Sequence, residues 1–351
     1  MNRIGLGFSA VALSAAGLTL TVSAAAQSPA ELARMKAEYR RPAALPVDNR
    51  VLADLGRLLF WDPRLSASGN TACATCHLPD RGWGVAEARS RNDSGKLTAR
   101  KSQPLVGLGH VKSGVPFGWD GRNPTLEAQV KSSVATGAMS ARETGSPVPL
   151  DVIAQRIRDI PDYADGFKAA LPGTAVSIDT IARAIAAYER TMEPGPAPFD
   201  RWIEGDEGAI SDAAKRGFVL FNSKTTCFAC HTGWRFTDDK FHDIGVSRSD
   251  RGRGNAVKDD EAMQYAFKTP TLRSVASRPP YMHDGSSATL LDVVRHYEKE
   301  PIDRPSRSPL FVPVALTGQE RSNLVAFMQS LTGSPEGEPA PELLAAPARA
   351  Q

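Results

Sequence analysis

Two five-residue blocks carry the most specific chemistry in the chain. Cys73-Ala74-Thr75-Cys76-His77 and Cys227-Phe228-Ala229-Cys230-His231 both read C-x-x-C-H, the attachment signature of c-type haem. Two thiols one helical turn apart can each add to a vinyl group on one porphyrin edge. The adjacent imidazole then projects over the iron as its proximal ligand. Together the blocks use all four cysteines of the chain. The rival readings are two disulfides, a thioredoxin-like dithiol or a zinc site. A redox C-x-x-C needs no following His and sits in a βαβ pattern that is missing here. Nothing around the two sets resembles a zinc knuckle. The reading adopted is two covalently bound c-type haems.

Those blocks need elements to position them. The chain has 351 residues, a length that suggests about two domains. Its net charge of +3 is too balanced for a nucleic-acid binder that relies on a basic field. A hydrophobic share of 41% with 23% charged residues is ordinary for a globular protein. At the N-terminus Arg3 precedes an uncharged stretch from Ile4 to Ala26, with Ala24 and Ala26 at the small-residue positions of a cleavage site. This reads as a signal peptide over residues 1–26, and an uncleaved anchor is the alternative. No later stretch approaches about 18 uninterrupted apolar residues. The expectation is a periplasmic protein with no membrane span in its mature chain.

Helical periodicity precedes both blocks. Val51, Leu52, Leu55, Leu58 and Leu59 lead to the first, and Ser211 caps a run with Ala214, Phe218 and Phe221 before the second. Ser177 caps a run through Ile178, Ile181, Ile185 and Tyr188. Thr289 precedes Leu290, Val293, Val294 and Tyr297, and Thr317-Gly318-Gln319-Glu320 is a capping box. No sustained strand alternation occurs. The expected fold is mostly α, two cytochrome c-like haem domains with long irregular loops. They span residues 27–195 and 196–333, with Pro194-Gly195-Pro196-Ala197-Pro198 as a hinge and 334–351 as a disordered tail.

With these motifs in place, the chain resembles the bacterial dihaem cytochrome c peroxidase family, including its MauG member. The resemblance rests on Leu55-Gly56-Arg57-Leu58-Leu59-Phe60 with Asp62-Pro63-Arg64-Leu65, Trp119-Asp120-Gly121-Arg122, Thr269-Pro270-Thr271-Leu272-Arg273 and Pro280-Tyr281-Met282-His283-Asp284-Gly285. It implies a peroxide-reactive N-terminal haem and an electron-transfer C-terminal haem, with His77 and His231 as proximal ligands. Trp119 matches the tryptophan between the haems, with a buried core indole as the plain alternative. Tyr297, fourteen residues after His283, stands where the peroxidases place a Met ligand and MauG a Tyr. Met282, Met263 and His283 are its rivals. The distal-His position of resting peroxidases is Asp93, and His110 is the nearest later histidine.

Gln129 matches the distal Gln, whereas the distal Glu position is Met139 and an intervening Pro is Ser133. Glu143 would fit only with a shifted loop. The resemblance also implies a calcium ion held by Ser102 and the carbonyls of Arg278 and Pro280. Lys268 is read either as a haem-propionate partner or as a solvated surface lysine.

Three functions follow from these readings. The first is reduction of hydrogen peroxide with electrons from a small c-type cytochrome or copper protein. The second is MauG-like oxidation of aromatic residues in a partner protein substrate. The third is a non-enzymatic dihaem electron carrier. A homodimer is the assembly the resemblance suggests.

Overall fold

The computed structural model describes residues 28–140, 148–333 and 339–345. The expected signal peptide and Glu143 lie outside them. The chain opens with α1 (Pro29–Glu38) and continues through α2 (Arg50–Trp61), α3 (Leu126–Ala135), α4 (Leu150–Arg158), α5 (Pro161–Ala170) and α6 (Ile178–Glu189). The second half holds α7 (Pro198–Ile203), α8 (Asp212–Asn222), α9 (Leu290–His296) and α10 (Gly318–Ser330). Among the described residues the only sheet is one antiparallel ladder, β1 (Phe241–His242) with β2 (Phe267–Lys268). No described helix is long and apolar enough to cross a membrane.

The caps foreseen from sequence are present. Ser211 Oγ accepts from Ala214 N at 3.2 Å, and Thr289 Oγ1 from Asp292 N at 3.1 Å. Ser177 and Thr317 both close capping boxes, which satisfy amide donors that the first helical turn otherwise orphans. Tyr297 ends α9 as its C-cap rather than extending it.

Two separate cores form. Helices α2 to α6 enclose one, with Leu59, Phe60, Ile157, Tyr163 and Ile181 fully buried. Helices α7 to α10 enclose the other around Phe199, Phe218, Phe236 and Phe327. Each is built on one close helix crossing with a glycine at the contact. A Cβ on Gly56 of α2 would lie 1.8 Å from Ala184 O of α6, and one on Gly217 of α8 would lie 2.0 Å from Asn323 O of α10. Gly217→Ala must therefore push the helices apart. We expect a loss of about 1–3 kcal/mol or more, the usual cost of overpacking. A lower denaturant midpoint at unchanged slope would report it.

The halves repeat in detail beyond the haem blocks. The bridge Phe117↔Asn123 precedes the cap Thr125 of α3 as the bridge Tyr281↔Ser287 precedes the cap Thr289 of α9. This register pairs Trp119 with His283 and Ser133 with Tyr297. Lys101 N donates to His283 O at 2.8 Å, and Lys268 N donates to Trp119 O at 2.8 Å. Each half thus clasps the other by an equivalent lysine backbone.

The termini cross between the halves, which corrects the sequence division. Helix α1 does not join the N-terminal core. Tyr39 is 0% exposed among Phe199, Phe218 and Phe236 of the second core, and Lys36 bonds Trp202 O at 3.0 Å. Residues 339–345, expected as part of a disordered tail, lie on the N-terminal half. Arg57 and Arg64 donate to the carbonyls of Pro339 and Leu344 at 2.7 and 2.9 Å, and Leu344 packs on the core. An apolar face on α1 and a leucine in the tail outweigh the Pro, Ala and Glu composition. The expected hinge is a packed connection: Met192, Pro194, Ala197 and Phe199 are buried, and Gly333 lies against the Gly195 and Pro196 carbonyls.

Candidate functional site

Each C-x-x-C-H block folds as one 3-10 turn, Cys73–Thr75 and Cys227–Ala229. His77 N and His231 N close these turns on the carbonyl of the first cysteine at 3.0 and 2.9 Å. In each block both sulfurs and the imidazole line a single cavity. The four cysteines are free thiols. His77 Nδ1 faces Trp83 O at 3.0 Å and His231 Nδ1 faces Phe236 O at 2.8 Å. A ring nitrogen that donates to a carbonyl leaves Nε2 for a metal and fixes the ring plane. Burial lowers the pKa of both imidazoles, so they stay neutral, as ligation requires. The donor set therefore fits two c-type haems, each held by two thioether bonds and one Nε2.

Trp119 lines both cavities. Its Nε1 donates to Lys101 O at 2.7 Å, and its ring meets His283 edge-on at 6.3 Å. The next residue, Asp120, is fixed by Arg100 at 2.7 Å, and Arg100 also holds Asp250 of the other half at 2.7 Å. The indole is thus positioned by both halves.

The N-terminal cavity contains Gln129, Ser133 and Met139. Gln129 accepts from Asn123 Nδ2 at 2.7 Å, and Met139 Sδ lies 3.8 Å from Cys73 Sγ. Neither Asp93 nor His110 is in this wall. Asp93 is tied to Ser68, and His110 Nε2 is bonded to Glu193 at 2.9 Å, with its ring against Trp234. The C-terminal cavity contains Tyr297, Met282 and His283 but not Met263, which lies at a separate surface cleft. His283 is stacked on Phe267 at 3.6 Å, a contact that commits its ring. Burial and the nearby Cys227 and Cys230 sulfurs push the Tyr297 phenol up. A cation in the cavity is what would favour its phenolate.

Calcium does not fit the residues assigned to it. Ser102 Oγ is bonded to Ser90 Oγ at 2.6 Å. Two buried cations lie alongside: the Lys101 ammonium holds the carbonyls of Val85 and Glu87, and the Arg278 guanidinium those of Thr271 and Arg273. Ser102, Arg278 and Pro280 bring no carboxylate to offset a third positive charge, whereas calcium sites usually supply one. Lys268 is no surface lysine. It is 8% exposed, lines both cavities, donates to Pro116 O at 2.9 Å and lies 3.5 Å from Asp239. Cys230, Asp238 and His242 cluster within 4.8 Å. Cys230 is committed to haem attachment and the other two form an ion pair at 2.8 Å, so the cluster is not a separate metal site.

Known proteins agree with this arrangement. The family model for di-haem cytochrome c peroxidase matches residues 50–208, and that for cytochrome c matches 214–332. Methylamine utilization protein MauG of Methylorubrum extorquens is 40% identical over 346 residues, 96% of this chain and 94% of that one. The chain belongs to the di-haem cytochrome c peroxidase and MauG family. Cytochrome-c peroxidase IdrP1 of Denitromonas iodatirespirans is 34% identical, covering 83% of this chain and 85% of its own. A solved MauG-like protein associated with microbial copper homeostasis superposes with a TM-score of 0.70 at 28% identity, over 84% of this chain and 94% of that one. As a family member the chain is a two-haem, peroxidase-class oxidoreductase, and its fold is the expected pair of cytochrome c domains.

Two cavity residues escaped the sequence reading. Lys101 is one, a lysine 5% exposed that lines both cavities as Lys268 does. Glu189 is the other, 6% exposed in the N-terminal cavity wall. A signal for it existed: Glu189 lies one turn beyond Ile185 and two beyond Ile181, on the buried face of α6. Burial pushes its carboxyl up to about 8, against the lowering effect of Arg190. Between the unfolded value of about 4.5 and the folded value of about 8, the folded state holds a proton that the unfolded state lacks. Stability must then fall as pH rises through that window and level off above it. Glu189→Gln should remove this slope, which denaturant midpoints at about pH 5 and about pH 9 would reveal.

Proposed function

We propose that this protein is a periplasmic oxidoreductase that reduces hydrogen peroxide in the His77 cavity and takes the electrons from aromatic side chains of a partner protein near the His231 cavity. In balance, one peroxide accepts two electrons and two protons and leaves as two waters, and the partner loses two electrons and two protons. The haems supply the redox chemistry. The protein's own residues supply the rest. His77 and His231 present neutral Nε2 atoms, and Gln129 and Ser133 line the space where peroxide enters. Trp119 offers an oxidisable ring bordering both cavities, which splits one long electron-transfer gap into two shorter ones.

The observation that carries this reading is Tyr297 in the wall of the C-terminal cavity, beside Cys227 and Cys230. A phenolate is a hard anionic ligand that favours the higher oxidation states of iron, whereas a thioether favours the lower. A centre of that kind suits abstraction of electrons from a reluctant donor. The likeness to MauG supports the same choice. Gln129 in the distal wall and the likeness to IdrP1 favour the second reading, in which a small c-type cytochrome or copper protein is the donor.

The test mixes the diferric holoprotein with one equivalent of peroxide and follows the absorption spectrum. A long-lived oxidised state, slow to react with reduced cytochrome c but quenched by a protein with surface Trp or Tyr that becomes modified, supports the proposal. Rapid multiple turnover with the cytochrome would replace it with the second reading. No spectral change would leave only the electron-carrier function.

A further inference from the structure

The repeat allows the two cavities to be compared wall by wall. Glu189 lies five residues after Ala184, the partner of Gly56. Met328 lies five residues after Asn323, the partner of Gly217. The two are equivalent positions on the closing helices of their units, and each lines its own cavity. The C-terminal unit has a buried thioether there, 7% exposed, and the N-terminal unit a buried carboxyl.

Four carboxylates line the N-terminal cavity. Asp120 and Asp250 are held by Arg100 at 2.7 Å each, and Asp239 is held by Arg235 at 2.6 Å. Those three are committed as structural anions. Glu189 forms no ion pair among the described residues, and its Oε2 is buried without a hydrogen-bond partner. An orphaned polar atom is costly to bury, and proteins retain few of them without a use.

We propose that Glu189 is the acid of the N-terminal cavity, a catalytic residue that delivers a proton to hydrogen peroxide as its O–O bond breaks. This rests on the peroxide reading above. The oxygen that takes the Glu189 proton leaves as water, the other takes a proton from solvent and leaves as the second water, and the two electrons come ultimately from the partner. The carboxylate then recovers a proton from solvent. The other candidates in this wall are unfit: Gln129, Ser133 and Met139 do not titrate. Its elevated pKa keeps Glu189 protonated at neutral pH. The charges it feels are Arg190 beside it and Glu127 on α3, which is paired with Arg190 at 2.7 Å. Lys101 from a loop and Lys268 from β2 face the same cavity, and Cys73 becomes an uncharged thioether on haem attachment.

The test compares wild-type and Glu189→Gln holoprotein in stopped-flow mixing with hydrogen peroxide from about pH 5 to about pH 10. Glutamine keeps the shape and neutrality but has no proton to transfer. We expect a roughly 10²-fold slower reaction, the usual contribution of a general acid, and loss of the alkaline inflection of the wild-type profile. A variant with the wild-type rate and profile overturns the proposal. A wild type that fails to react overturns the peroxide reading instead. Infrared difference spectra on cyanide binding give a readout independent of turnover and of the variant's folding. Wild type should show a perturbed carboxylic acid C=O band, and its absence would also overturn the assignment.

Discussion

Ser133→Tyr should close the N-terminal cavity, and Tyr297→Phe should strip the C-terminal iron of its sixth ligand. The two positions are equivalent in the repeat, each eight residues after the threonine that caps its helix, Thr125 or Thr289. Both line their cavities. Under the proposed function, the larger ring at one position would ligate its iron and the small hydroxyl at the other would leave its cavity open. For Tyr297→Phe the low-spin spectrum should change and the C-terminal potential rise on the order of 0.1 V, well inside the ~0.8 V that axial ligands command. For Ser133→Tyr the high-spin signal should diminish and cyanide binding weaken by about tenfold or more, equivalent to about 1.4 kcal/mol. Spectroelectrochemical titration and cyanide titration check the pair. Unchanged spectra in both variants would eliminate the equivalence as the basis of ligation.

Trp119→Phe should leave haem content and both spectra intact while slowing communication between the haems. The indole borders both cavities and is fixed through Nε1 to Lys101 O. Phenylalanine retains most of the apolar contact but is far harder to oxidise and has no Nε1 donor. We expect electron exchange between the haems, followed after partial reduction by a flash-generated reductant, to slow by roughly tenfold or more, about 1.4 kcal/mol on the barrier. The lost hydrogen bond should cost only about 0.5–1.5 kcal/mol of stability, so the kinetic and folding effects are separable. An unchanged exchange rate would reduce Trp119 to a packing residue.

The haem blocks were legible because covalent attachment fixes residue type and spacing together. The helices around Ser177, Ser211, Thr289 and Thr317 were legible because caps and apolar periods agree there. Other features lay beyond local pattern. Tyr39 is placed by an aromatic cluster about 160 to 200 residues downstream. Leu344 sits in a Pro, Ala and Glu rich stretch whose average hides one docking side chain. Calcium is not shown, and beside its expected ligands Lys101 and Arg278 bring buried charge that a ligand-by-ligand comparison does not count. Glu189 was hidden for another reason: a charged residue at the end of an amphipathic helix ordinarily reads as its solvent edge.

The crossed ends set an order of assembly. A chain made from its N-terminus produces α1 long before the aromatic nest around Phe199 and Phe236 exists. The segment that braces Arg57 and Arg64 follows them by about 280 residues. The first half cannot finish packing until residues 339–345 are made, and α1 cannot dock until the second core is made. Such long-range closure slows folding, because both ends must find partners on the opposite half.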